Sequence, residues 1–220
     1  VSLLLASAAG CDLLGRDGGD PGAPKEGDTT VLFIGSSYLA FYDVPRRFEG
    51  FAREAGERVW TQAEVLPGHY LDYFASDART TLRLRERDWD YVVLQDAGHN
   101  VAYPASHGAV AAVLGHHPLR PALGELKRKA TELSPGTKVV FMLPWAFEDG
   151  ITWIQGETDD YRAMQIKIRE TGVAWARDLG LVVAPVGMAF HQVMTTWDAP
   201  VHFLFEEDWN HANANGAYLT

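Results

Sequence analysis

The sequence predicts a three-layer α/β domain, a parallel sheet of roughly five strands with helices on both faces. Three observations carry this. Runs at residues 31–34, 90–94, 138–143 and 181–186 are apolar at nearly every position, as strands buried on both faces must be. Between them lie stretches whose apolar residues recur three and four apart, the spacing of a helix with one buried side. Turn-forming residues close the runs, among them Gly35, Pro67-Gly68 and Pro144.

Taken in order, the first strand, residues 31–34, stops at Gly35. Pro45 suits the first turn of a helix reaching about Ala55, with Phe48, Phe51 and Ala52 on one side and Gly56 beyond its end. Residues 59–65 form a second strand. A polar helix follows over 71–86, with Tyr73, Phe74 and Leu82 as its core contacts. Tyr91-Val92-Val93-Leu94 is the centre of a third strand. Helical patterning covers 109–133, interrupted near 115–118, and residues 138–143 give a fourth strand. The clearest helix spans 158–179, with Tyr161, Met164, Ile168, Val173 and Trp175 on its apolar side. Residues 181–186 are the fifth strand, and residues 214–220 read as a helix just begun that is expected to continue past Thr220. In sheets of this kind the chemistry sits at the carboxyl ends of the strands. The loops after Ile34, Val65, Leu94, Leu143 and Val186 are therefore the places to look.

The formal net charge is -10. There is no excess of Lys and Arg to displace counterions, which argues against a nucleic-acid partner. A single cysteine, Cys11, rules out an internal disulfide and a cysteine-built metal site. Residues 1–10 are an apolar run closing on small residues directly before it, the shape of a secretory h-region and its cleavage site. This resembles the bacterial lipobox, which implies a lipidated Cys11, a membrane anchor and a place in the bacterial cell envelope. Residues 11–28 are rich in Gly, Asp and Pro and read as that cysteine followed by a flexible tether. Residues 29–220 make the folded domain.

Two short segments carry candidate chemistry. Gly35-Ser36-Ser37-Tyr38 follows the first strand. A serine exposed there becomes a nucleophile if a base takes its proton. Near the end stands Asp208-Trp209-Asn210-His211. An Asp three residues before a His can fix the tautomer of the imidazole and stabilise the imidazolium. Each feature also has an ordinary reading, a turn serine and a surface ion pair. The Gly-x-Ser-x-Gly elbow is absent because Leu39 stands at the second glycine position. No phosphate loop or dinucleotide fingerprint is present.

The order of these segments resembles the SGNH, or GDSL-like, hydrolases over most of residues 30–220. Gly35-Ser36-Ser37 is similar to the Gly-Asp/Asn-Ser block of that family, and Asp208-x-x-His211 to its last block. The resemblance implies a flavodoxin-like fold and hydrolysis of carboxylic esters without a cofactor or metal. It implies Ser37 as nucleophile, His211 as base, Asp208 as its orienting acid, and an oxyanion hole from the N–H groups of Ser37 and Gly68. Two departures stand out. Ser36 replaces the usual Asp or Asn. The third block, normally Gly-x-Asn-Asp, is replaced by Gln95-Asp96-Ala97-Gly98-His99-Asn100. Gln95 is the first choice for the third oxyanion donor, and Asn100 is the alternative.

The expected substrate is an ester, with an acylated carbohydrate as one candidate. The alternative is a non-catalytic, glycan-binding envelope lipoprotein on the same fold. Trp145 and Trp153, after the fourth strand, suit either a sugar-stacking wall or core packing. His116-His117, near His107, point apart as neighbours on one element and are not read as a metal site. His191 and His202 are read as packing or loop residues.

Overall fold

A computed structural model describes residues 22–104, 108–115, 117–197 and 200–220. The signal and lipobox expectations, Cys11 included, lie outside these residues, as do His107 and His116. The chain builds five parallel strands: β1 (Thr29–Gly35), β2 (Val59–Val65), β3 (Tyr91–Gln95), β4 (Lys138–Met142) and β5 (Val182–Ala184). They lie in the order β2-β1-β3-β4-β5, as in flavodoxin-like sheets. The register pairs Leu32 with Val92 and Val92 with Val139, and Ile34 with Leu94 and Leu94 with Phe141. These residues share one face and are almost wholly buried. Alternate residues, Val31, Phe33, Val93 and Val140, turn to the other face. That two-sided burial is why the runs are continuously apolar.

The helices are α1 (Ser37–Ala40), α2 (Val44–Glu54), α3 (Leu71–Ser76), α4 (Ala78–Arg85), α5 (Gly98–Ala102), α6 (Gly108–Leu114), α7 (Leu119–Leu133), α8 (Tyr161–Leu179), α9 (Val186–Thr196) and α10 (Ala214–Leu219). α5 packs on α8, and α7 on α3 and β4. A Cβ on Gly172 of α8 would come within 2.4 Å of Leu143 and 3.3 Å of Phe141, so the glycine lets α8 lie close on the sheet. The second face carries α2, whose Phe48 ring meets Phe33 edge-on at 5.7 Å. Cover is thinner there, and an apolar groove of about 530 Å³ runs along Val31, Phe33, Val93 and Val140.

Two local differences from the sequence reading stand out. The stretch expected as one helix over 71–86 is two, because Asp77 is extended and accepts from the Thr80 N–H, starting a new helix. The stretch 109–133 breaks where the sequence indicates, near 115–118, into α6 and α7. After the short β5, the chain forms α9, where no helix was assigned.

β1 is the strand from which the chain first moves outward to β2 and then returns to β3 on its other side. The carboxyl ends of β1 and β3 therefore flank the topological switch point, where a crevice forms above the sheet.

Candidate active site

At the end of β1 the chain turns sharply into the four-residue α1, with Ser36 extended before it and Ser37 as its first residue. Gln95, the last residue of β3, holds this turn. Its Oε1 accepts from the Ser36 N–H at 2.9 Å and from the Ser36 hydroxyl at 3.1 Å. A Cβ on Gly35 would meet that oxygen at 2.6 Å and Leu39 at 2.9 Å, so a side chain here would push Gln95 off the turn. As the first residue of its helix, Ser37 keeps an amide with no intrahelical acceptor.

The last functional segment is a loop pinned at both ends. Phe205 and Ala212 form an antiparallel bridge, and Glu206 N–H donates to the His211 carbonyl at 2.8 Å. The Asn213 side chain donates to the carbonyls of His202, Phe203 and Phe205 while capping α10. Within the loop, Asp208 Oδ1 accepts from the N–H groups of Asn210 and His211 at 3.0 and 2.9 Å. Its Oδ2 lies 2.5 Å from His211 Nδ1. On the far side of the ring, Nε2 lies 2.7 Å from Ser37 Oγ.

These distances assign the proton positions. A carboxylate can only accept, so Nδ1 carries the hydrogen and Nε2 presents its lone pair to the Ser37 hydroxyl. Burial pushes the Asp208 carboxyl up, but its hydrogen bonds from the His211 ring and the two backbone N–H groups outweigh this and hold it below the ordinary range. Phe41 stacks flat on the imidazole at 4.2 Å, and Tyr38 meets it edge-on at 5.5 Å. Tyr38 is fixed in turn by stacking on Trp145, which stacks on Phe190. The Trp145 indole N–H donates to the Asn210 carbonyl at 2.9 Å, tying this core to the loop.

Ser37 and His211 open into a pocket of about 370 Å³ whose other walls include Phe41, Gly68, Tyr70, Ala97 and His99. Gly68 turns the chain after β2 with φ +78°, and the structure gives its N–H no acceptor. Ser37 and Gly68 thus both bring unengaged backbone donors to the pocket.

Neither amide expected as the third donor is part of its lining. Gln95 is completely buried beneath the turn, with its oxygen committed to Ser36 and its Nε2 without a partner. Asn100 is buried with its amide donating to Asp96 at 2.7 Å. Both are positioned as structural supports by the tertiary packing of β3 and α5. Between them, Ala97 and His99 do line the pocket, and the sequence reading gave His99 no role. His99 is 5% exposed, and neither ring nitrogen has a hydrogen-bond partner. Burial, with a smaller contribution from His117, lowers it to about 4, so the ring is neutral.

The remaining residues separate cleanly. Trp145 is core, whereas Trp153 is 52% exposed. His117 bonds Asp72 at 3.0 Å, His202 bonds Glu148 at 2.7 Å, and His191 stacks near Tyr161. Among the described residues no group of three or more His, Cys, Asp or Glu is placed to hold a metal ion.

No family model matches the chain, and no curated protein matches it. Solved structures do. A candidate SGNH hydrolase from Slackia heliotrinireducens superposes with a TM-score of 0.65 at 19% identity, over 87% of this chain and 94% of the other. An α/β hydrolase enzyme from the metagenome of Lake Arreo gives 0.63 at 15% identity, over 87% and 90%. An acetyl xylan esterase from Geobacillus stearothermophilus gives 0.54 at 17% identity, over 87% and 90%. The fold of this chain is the SGNH hydrolase fold.

Proposed function

We propose that the chain is a serine hydrolase of carboxylic esters. The observation that carries this is the continuous hydrogen-bonded line from Ser37 Oγ through the His211 ring to Asp208, opening on a pocket with the free N–H groups of Ser37 and Gly68. Similarity in fold to esterases and other hydrolases supports it.

His211 Nε2 takes the proton as Ser37 Oγ bonds to the ester carbonyl carbon. The carbonyl oxygen becomes an oxyanion and is held by the Ser37 and Gly68 N–H groups. Asp208 balances the imidazolium. When the tetrahedral species collapses, the C–O bond to the alcohol breaks and His211 returns the proton to the leaving oxygen. Water, deprotonated by His211 in the same way, then releases the carboxylic acid from Ser37.

The alternative, a glycan-binding protein without catalysis, requires no aligned hydroxyl, imidazole and carboxylate. The test is release of p-nitrophenol from p-nitrophenyl acetate by the wild type, Ser37→Ala and His211→Ala. Each substitution should lower kcat by on the order of 10³-fold or more with the circular dichroism unchanged. A wild type no faster than its variants would leave the binding reading standing instead.

From residues 1–11 alone we further propose that the domain is tethered to the bacterial envelope by a lipidated Cys11.

A further inference from the structure

Beside the Ser37 pocket lies a second cleft of about 390 Å³, walled by Phe147, Trp153, Trp209 and Asp149 and closed by Asp208 and Asn210. Asn210 belongs to both cavities, so the two adjoin across the loop that carries His211. Phe147 also packs against His99 of the first pocket, at 5.7 Å.

The two indoles are held in place before any ligand arrives. Trp153 Nε1 donates to the Gly150 carbonyl at 3.2 Å. Trp209 sits at φ +64°, a conformation unfavourable for a bulky residue. It is kept there by its N–H donating to Glu206 at 3.0 Å and its carbonyl accepting from Glu148 at 2.8 Å. The His202 ring, anchored on Glu148, meets the Trp209 ring edge-on at 4.5 Å. Despite this bracing, Trp153 and Trp209 remain 52% and 39% exposed. Asp149 at the rim is exposed and has no hydrogen-bond partner.

We propose that this cleft binds a pyranose ring, the alcohol part of the ester that Ser37 cleaves. A pyranose has an apolar C–H face and a rim of hydroxyls. It suits fixed aromatic faces that are still half in water, with a carboxylate at the edge to accept from a hydroxyl. The cleft also adjoins the Ser37 pocket, sharing Asn210 on the loop that carries His211, the residue that must give its proton to the leaving oxygen. Preset rings also lose little rotamer freedom on stacking. The inference rests on the esterase reading for naming the ligand as the leaving alcohol.

The experiment compares three acetyl esters by pH-stat: a monoacetylated methyl glucopyranoside, ethyl acetate and acetylcholine. Wild type should prefer the pyranoside over ethyl acetate by at least about tenfold in kcat/KM. Trp153→Ala should erase that preference through KM, and Asp149→Ala should weaken it about threefold, each lowering kcat/KM on the pyranoside far more than on ethyl acetate. Binding of the acetyl pyranoside to Ser37→Ala, measured by calorimetry with and without Trp153→Ala, reads the site without turnover. Equal rates on pyranoside and ethyl acetate, preference for acetylcholine, or indifference to Trp153→Ala would overturn the proposal. Binding that depends on Trp153 in a protein without hydrolysis would overturn the esterase reading and keep the sugar site.

Discussion

Replacing His99 by Phe removes a buried ring that cannot take a proton in place, and the consequence is a change in how stability responds to acid. Unfolded, a histidine titrates near 6.5, while burial lowers His99 to about 4 in the fold. The unfolded chain therefore binds the proton more readily. The contribution of His99 is fully present above pH 6.5 and is lost as pH falls toward 4. Linkage puts the loss between pH 7 and pH 5 at about 2 kcal/mol. Asp96, three residues earlier, works in the opposite sense. Its burial outweighs its hydrogen bonds from Asn100, Leu71 and Ala97 and raises it from 3.8 to about 6. Stability from that group is greatest at low pH and is lost as pH rises through 6. Acidification from pH 7 to pH 5 thus returns about 1 kcal/mol through Asp96. The two responses oppose each other in the wild type. In His99→Phe only the Asp96 response remains. Urea unfolding of both proteins at pH 7 and pH 5 should show the variant gaining about 2 kcal/mol relative to wild type on acidification. Refitting a six-membered ring between Tyr70 and Phe147 shifts the absolute stability at both pH values and drops out of that difference. The other nearby groups, Tyr70, His117 and Asp72, are common to both proteins. Parallel responses, within about 0.5 kcal/mol, would refute a neutral, desolvated His99.

Two further predictions test the frame around the site. Gln95→Leu leaves the buried Ser36 N–H and hydroxyl without their acceptor, costing about 2 kcal/mol in urea unfolding. Because Ser37 stands on that turn, ester turnover should also fall roughly 10–100-fold, mainly in kcat. Cys11→Ser should release the protein from the membrane fraction into the soluble fraction of bacteria expressing it. Mass spectrometry of the wild-type N-terminal peptide should find acyl chains on Cys11, and an unmodified cysteine there would sink the anchor proposal.

Much of the layout was legible because it rests on local pattern. The expected strands at 59–65 and 138–143 coincide with β2 and β4 to within a residue; the second is a nearly continuous apolar run, and the first is marked by the Pro67-Gly68 turn that follows it. α9 was not legible. Its sequence, Val186-Gly187-Met188-Ala189-Phe190-His191, is apolar on all sides and contains a glycine, so periodicity cannot distinguish it from a strand. The glycine has a tertiary cause, since a Cβ on Gly187 would come within 2.0 Å of the Pro144 carbonyl. The break at Asp77 did leave a trace, a capping residue three positions before Thr80, hidden inside an otherwise helical stretch.

The candidate site divides along the same line. Asp208 and His211 lie three residues apart, so one loop suffices to join them, and Ser37 is marked by its place after a strand and a glycine. The role of Gln95 depends instead on a contact across 59 residues, from β3 to the turn after β1. Seen in isolation, Ser36 and Gln95 are two separate departures from the family pattern, one in the first block and one in the third. In the structure they are one arrangement. Ser36 lacks the carboxamide or carboxylate usual before the nucleophile, and the Gln95 oxygen supplies an acceptor to both its N–H and its hydroxyl. The Gln95 amide is buried beneath the turn, outside the lining of the pocket. On the proposed esterase reading, oxyanion binding then falls to the backbone N–H groups of Ser37 and Gly68, while a Cβ on Gly35 would meet the Gln95 oxygen at 2.6 Å.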